Sequence, residues 1–131
     1  MKIISPTGLG IRNDPMGLGI YGAPRGHRIH QGLDFVCKPG QDVLCPIVSG
    51  KLMREAKPYA DDEKYSGCLI WGRQIIIKMF YLKPWKWVIG EYIKQGDPIG
   101  IAQDISEKYG EDMTPHIHLT IVSLDPEILM E

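Results

Sequence analysis

The chain has 131 residues, of which 44% are hydrophobic, and a formal net charge of -1. This length suits one domain with its own core, and the hydrophobic fraction is that of a globular chain rather than a disordered one. The near-neutral charge argues against a nucleic-acid binder, which usually carries a basic excess. No apolar run approaches the roughly 18 residues of a membrane span. Residues 1–15 lack the apolar core of a secretory signal.

Glycine and proline divide the chain into short segments that predict strands and not long helices. A loop-rich N-terminal segment is predicted for residues 1–24. The chain up to about residue 28 is rich in Gly and Pro, and its apolar residues show neither helical nor strand periodicity. Residues 102–110 predict one or two helical turns ended by Gly110. Runs of Val, Ile, Thr and aromatic residues between turn residues predict the strands, at 42–50, 51–56, 67–71, 74–82, 117–122 and on both sides of a Gly turn in 90–100. We predict one all-β domain over residues 1–131.

Three cysteines, Cys37, Cys45 and Cys68, form no CxxC pair. The odd number means that at least one is free or pairs between chains. Their apolar surroundings favour buried thiols that act as small hydrophobic side chains.

Two histidines stand two residues apart in "TPHIHLTI", residues 114–121. Alternate residues of a strand point to one face, so His116 and His118 would look the same way, about 7 Å apart along the chain. Three roles are open for this pair. Both histidines bind one metal, or they have different roles in one site, or they are two polar residues on a solvated face.

A second motif, "HQGLD", offers His30 and Asp34. On a straight strand these residues would lie about 13 Å apart, too far for one metal ion, so the chain must bend between them, and Gly32 allows a bend. His30, Asp34 and one later histidine would form a zinc set with water in the fourth position. The remaining histidine could move protons or stabilise an oxyanion.

Three other interpretations stay open on these residues. If both later histidines bind zinc, the site is closed and structural. If neither motif binds metal, the chain is a structural β-protein. The fourth histidine, His27, is best explained as an exposed loop residue.

Four stretches in order, "HQGLDF", "GQDVLCPIVSGKL", "YIKQGDPIG" and "PHIHLTI", resemble the lysostaphin-type zinc endopeptidases that cut peptidoglycan cross-links. The resemblance covers residues 25–122. It implies a small antiparallel β-sheet core with a zinc ion in a groove across it. It also implies that His30, Asp34 and His118 are the ligands and that His116 is the catalytic histidine that does not bind the metal.

One stretch departs from that pattern. Active members of the family carry a second catalytic histidine on a middle strand, where "MFYL" places Tyr81 in this chain. The surrounding "IIIKMFYLKPWKW", residues 75–87, is similar to the animal chemotaxin-2 relatives of the family, which keep the zinc site and are not known as working peptidases. A phenol is a donor at neutral pH and not a base. Tyr81 could therefore stabilise an oxyanion while His116 alone acts as the base.

The resulting expectation is a zinc metalloendopeptidase that hydrolyses peptide bonds in peptidoglycan. Its partner would be a peptidoglycan peptide or another peptide. Without a signal, the chain would reach the cell wall as a phage virion or lysis component. The alternative is a zinc-stabilised, catalytically weak or inactive binding module for a protein or glycan. In that case Trp85 and Trp87 would be a stacking platform, and otherwise they are rim residues over the core.

Overall fold

Antiparallel strands make up most of the regular structure. A computed structural model describes residues 2–20, 24–25, 28–29 and 32–124. A short α-helix, α1 (Ser106–Tyr109), and a 3-10 turn at Lys86–Val88 accompany the strands. The strands are β1 (Asn13–Asp14), β2 (Gly17–Leu18), β3 (Pro24–Arg25), β4 (Arg28–Ile29), β5 (Leu33–Val36), β6 (Asp42–Leu44), β7 (Ser49–Ala56), β8 (Gly67–Gly72), β9 (Ile75–Phe80), β10 (Leu82–Pro84), β11 (Tyr92–Lys94), β12 (Pro98–Ala102) and β13 (His116–Leu124).

Two sheets form the body of the molecule. A six-stranded sheet has the order β11-β7-β8-β9-β13-β5, and a three-stranded sheet has the order β10-β12-β6. Every pairing in both sheets is antiparallel. The predicted all-β fold with an antiparallel core and one short helix is therefore confirmed.

The core lies where the inward faces of the strands meet. Along β9, Ile75, Ile77 and Met79 are buried while the residues between them are half-buried, as the period of two requires. The larger buried side chains around them include Val43, Ile47, Leu52, Ile70, Leu82, Ile99, Ile117 and Leu119. Cys37, Cys45 and Cys68 are free and buried, as predicted, and burial raises the pKa of the Cys68 thiol to about 12.

The described part of the N-terminal segment runs along the edge of the six-stranded sheet. Its short hairpin, β1 and β2, was not predicted. The amide of Arg12 donates to the carbonyl of Asp34 at 2.9 Å, and the amide of Val36 donates to the carbonyl of Gly10 at 2.8 Å. These bonds cover the side of β5 that faces away from β13, its one partner among the described strands of that sheet. In the described parts of the chain, no helix has both the length and the apolar character needed to cross a membrane.

Two predicted strands are interrupted. The predicted strand 42–50 stops at Leu44 and resumes at Ser49, because Pro46 lacks the amide proton that a paired strand needs. The predicted strand 74–82 is broken at Tyr81, whose φ is 75°. That left-handed conformation turns the chain out of β9 and into β10, which belongs to the other sheet. The predicted helix end at Gly110 is confirmed.

Candidate functional site

The pairing of β5 with β13 brings both motifs to one place. Asp34 lies directly opposite His118 in the register of the two strands. The Oδ1 atom of Asp34 lies 2.8 Å from Nδ1 of His118, and its Oδ2 atom lies 3.7 Å from Nε2 of His116. The structure thus brings together three of the predicted site residues. His30 and His27 lie outside the described residues.

A buried arginine compensates the charge of Asp34. Asp34 is only 2% exposed, and a carboxylate so far from water needs a partner. Arg12 donates to Asp34 Oδ2 at 2.9 Å and to both carboxylate oxygens of Asp14, at 2.9 and 3.3 Å. The guanidinium is itself 3% exposed. Arg12 therefore fixes one oxygen of Asp34 and leaves the other facing His118.

Burial opposes ionisation of Asp14, yet its hydrogen bonds outweigh that cost. Arg12 donates to the carboxylate, and so do the backbone amides of Thr114 and Met16. Together they lower the pKa of Asp14 to about 2. The bond from Thr114 also ties the chain just before β13 to the N-terminal segment.

The tautomer of His116 follows from its partner. The Nδ1–H of His116 donates to the carbonyl oxygen of Thr114 at 2.8 Å, because a carbonyl can only accept. A neutral His116 then has its lone pair on Nε2, on the side of Asp34. Burial lowers the pKa of His116, although the Asp34 charge acts in the opposite direction. The neutral, proton-accepting form is therefore favoured near pH 7.

The two nitrogens of His118 face two different oxygens. Nδ1 faces Asp34, and Nε2 lies 2.9 Å from the hydroxyl oxygen of Thr120. Because a carboxylate can only accept, Nδ1–H donates to Asp34 Oδ1, and Nε2 accepts from the Thr120 hydroxyl. A zinc ion held by Asp34 and Nδ1 of His118 would take the place of this proton, and Nε2–H would then donate to Thr120, a partner of the kind that fixes the tautomer of metal-binding histidines. Zinc bonds of about 2 Å can join two atoms that lie this close.

Two described side chains therefore fit a zinc ion. Among the described residues, no group of three or more His, Cys, Asp or Glu side chains is arranged to hold a metal. Asp34 and His118 are a carboxylate and an imidazole, which suit zinc. A third protein ligand must come from elsewhere, and His30 is the predicted one.

Gly32 makes room for the His118 ring. It lies at a bend just before β5. A Cβ atom at this position would lie 2.5 Å from the carbonyl oxygen of Leu119 and 2.8 Å from Cε1 of His118. The glycine is therefore needed for close packing at this point, whereas the predicted bend between His30 and Asp34 involves residues outside the described ones.

Tyr81 stands at the break between the sheets, next to His116. Its ring meets the His116 ring edge-on, with centroids 5.4 Å apart and an interplanar angle of 89°. Among the described residues it alone has a positive φ without being glycine. The amide of Tyr81 donates to the Ser66 carbonyl at 2.7 Å, and its own carbonyl accepts from Gln103 at 2.9 Å. The ring of Tyr81 thus lies against that of His116.

Relatives of the chain identify its family. No family model matches. Leukocyte cell-derived chemotaxin-2 of Bos taurus is 35% identical over 119 residues, which cover 89% of this chain and 76% of the bovine protein. This chain belongs to the leukocyte cell-derived chemotaxin-2 family. The same protein of Mus musculus is 33% identical over 107 residues, which cover 81% of this chain and 68% of the mouse protein.

Solved structures show that this member of the chemotaxin-2 family has the lysostaphin-type peptidase fold. A protein of Pseudomonas aeruginosa assigned to peptidase family M23 matches with a TM-score of 0.60 at 19% identity, over 98% of this chain and 50% of that one. The solution structure of lysostaphin matches with a TM-score of 0.58 at 19% identity, over 96% of this chain and 53% of lysostaphin. The catalytic domain of lysostaphin from Staphylococcus simulans matches with a TM-score of 0.53 at 20% identity, over 99% of this chain and 89% of that domain. The chain spans about half the length of the first two. The expected family and fold are confirmed.

Three residues around the site of this chemotaxin-2 relative were not predicted from the sequence: Arg12, Thr120 and Tyr59. Thr120 had a signal, because it lies two residues after His118 and so shares its face. Arg12 and Tyr59 had none, because they reach the site from loops that are distant in sequence. Tyr59 places its hydroxyl 3.0 Å from that of Tyr81.

Proposed function

We propose that this protein is a zinc metalloendopeptidase that hydrolyses peptide bonds in peptidoglycan cross-links at the cell wall. The supporting observation is the arrangement around Asp34. A carboxylate and an imidazole converge at 2.8 Å, and a buried second imidazole has its proton-accepting nitrogen 3.7 Å from the same carboxylate. The lysostaphin-type fold agrees with this chemistry.

In this proposal, His30, Asp34 and His118 would hold the metal. A zinc ion bound there would supply Lewis acidity, which polarises a carbonyl group and makes water more acidic. Arg12 balances the charge of Asp34 and holds its carboxylate in one orientation. Thr120 holds the ring of His118 so that Nδ1 faces the site.

His116 and Tyr81 would carry the proton and charge changes. His116 Nε2 accepts a proton from the attacking water and then delivers it to the leaving amine nitrogen. The Tyr81 hydroxyl donates to the carbonyl oxygen as negative charge develops on it. The Thr114 carbonyl holds the His116 ring in place throughout, because it accepts from Nδ1 in both charge states.

A cleavage assay tests this function. Zinc-loaded protein should release amino groups from purified peptidoglycan or an oligoglycine peptide, and chelation should abolish the release until zinc is restored. His116→Ala should lower the rate by about 10²–10⁴-fold while it retains zinc. Ser123→Ala, an exposed position farther along β13, is the control and should retain full activity. Zinc-loaded protein that cleaves neither substrate would contradict the proposal.

A zinc-stabilised binding module is the second candidate, favoured by a tyrosine where active peptidases of the fold are expected to carry histidine. Exposed aromatic residues give such a module a surface. Trp87 is 69% exposed and stacks on Trp85 at 5.5 Å, while Trp85 packs against the core. For this function, His116→Ala would leave partner binding intact, whereas His30→Ala would destabilise the fold.

A further inference from the structure

We propose that Tyr59 is a positioning residue that aims the hydroxyl proton of Tyr81 into the site beside His116. This inference rests on the proposed peptidase function and assigns a new residue to it. Tyr59 is the middle member of a chain of three phenols, Tyr109–Tyr59–Tyr81. The hydroxyl oxygens are 2.7 Å apart between Tyr109 and Tyr59, and 3.0 Å apart between Tyr59 and Tyr81.

The number of hydroxyl protons limits the directions that the hydrogen bonds among the three phenols can take. Each phenol has one proton to donate, so Tyr59 can donate to only one of its two neighbours, and at least one neighbour must donate to Tyr59. If Tyr59 donates to Tyr81, Tyr109 donates to Tyr59, and the Tyr81 proton is left for a third acceptor. In the reverse order, Tyr81 donates its proton to Tyr59, and its oxygen can only accept a hydrogen bond in the site.

The charges around the three phenols favour the order in which Tyr59 donates to Tyr81. The negative charge of Asp34 acts on Tyr81 at the inner end and favours a donor that points toward the site, whereas the positive charge of Arg12 opposes this with a smaller effect. Burial raises the pKa of Tyr81, and the hydrogen bond between Tyr59 and Tyr81 acts in the opposite direction. A phenol that accepts one hydrogen bond is a better donor of its own proton. Tyr59 would thus strengthen Tyr81 as a donor to a developing oxyanion.

Tyr59 is held on several sides. Its ring stacks on that of Tyr81 with centroids 6.3 Å apart, and it meets the ring of Tyr65 edge-on at 6.2 Å. The Lys108 ammonium lies 4.6 Å from the centre of the Tyr59 ring and is itself bonded to Asp62 at 3.0 Å. A hydroxyl on a ring fixed in this way can act as a directional donor.

The outer end of the chain reaches solvent. Tyr109 is 41% exposed and lies at the end of α1, whereas Tyr81 is half-buried beside His116. The left-handed backbone of Tyr81 is costly for a non-glycine residue, and such conformations cluster at functional sites. The phenol chain gives this strained residue one defined orientation.

The test compares Tyr59→Phe with Tyr65→Phe. Both changes remove only a hydroxyl, but the Tyr65 hydroxyl donates to the Asp104 carbonyl at 3.2 Å, outside the chain. In protein labelled with ¹³C at the tyrosine Cζ atoms, Tyr59→Phe should move the Tyr81 resonance and Tyr65→Phe should leave it in place. An unmoved Tyr81 resonance in Tyr59→Phe would overturn the proposal, whether or not the protein cleaves peptides.

Kinetics of the zinc-loaded protein give the second measurement. Tyr59→Phe should lower kcat by about tenfold at unchanged KM, and Tyr65→Phe by less than about twofold. In a Tyr81→Phe background, Tyr59→Phe should cause no further loss, since it acts through the Tyr81 hydroxyl. Additive losses would mean that Tyr59 acts on general structure and would overturn the positioning role. A wild-type protein without activity would contradict the proposed function, and the Tyr81 resonance alone would then decide the positioning.

Discussion

Arg12 is the residue on which the charge balance of the site depends. It is 3% exposed and bonds both Asp34 and Asp14. Arg12→Met would leave two carboxylates beside the core without their cation, and breaking a buried pair from one side costs about 3–5 kcal/mol. We expect a loss of this size in the free energy of unfolding measured with urea.

The matched control is Lys57→Met. Lys57 bonds Glu55 at 2.8 Å but is 44% exposed, and surface pairs contribute less than about 1 kcal/mol. Equal losses for Arg12→Met and Lys57→Met would show that the buried arginine does not hold the site together.

Asp14 makes the stability depend on pH. Its pKa is about 2 in the folded protein and 3.8 ordinarily. A lowered pKa means that the stabilisation is complete above about pH 3.8 and is lost as the pH falls through 2. For this side chain, 5% exposed, the difference corresponds to about 2 kcal/mol.

Asp14→Asn tests this contribution. Unfolding free energies measured between pH 4 and pH 2 should fall less steeply for Asp14→Asn than for the wild type, by about 2 kcal/mol across the interval. Parallel curves would mean that the carboxylate is not the titrating group.

At the scale of elements, the pairing of β5 with β13 builds the site. The sequence was sufficient to place His116 and His118 on one face, because alternation is a local property of a strand. It was insufficient to show that β5 pairs with β13 and sets Asp34 directly opposite His118, because these residues are 84 positions apart and strand pairing is a tertiary property. It was also insufficient to find the break at Tyr81, since "IIIKMFYL" has a continuous strand pattern and only the tertiary contacts of Ser66 and Gln103 impose the left-handed turn.

The close approach of these elements depends on Gly32. In Gly32→Ala the new methyl group would press on the Leu119 carbonyl and the His118 ring. We expect a loss of about 1–3 kcal/mol in unfolding free energy, together with weaker zinc binding, since the ring must move. Gly10→Ala is the control, because a Cβ atom there meets nothing within 4 Å and the φ is not positive. Equal zinc affinity in both variants would contradict this role for Gly32.

At the scale of the whole molecule, an all-β domain with an antiparallel sheet core was predictable, whereas the division into a six-stranded and a three-stranded sheet was not. Short apolar segments between Gly and Pro residues predicted the strands, and the four sequence motifs predicted the family. The course of the N-terminal segment was not predictable, since Arg12 and Gly10 follow β5 through backbone bonds that leave no pattern in side-chain types. That segment nevertheless supplies the cation of the site, so the site belongs to the whole fold and not to the two motifs alone.

Zinc binding tests the central claim, that Asp34 and His118 hold a metal that His116 does not. Metal-free protein titrated with zinc should bind one ion per chain. Affinity should fall by about 100-fold or more in His118→Ala, which loses a ligand, and should stay within about threefold in His116→Ala. Equal losses in the two variants would indicate a closed site in which both histidines are ligands. A wild-type protein that binds no zinc would contradict the account directly.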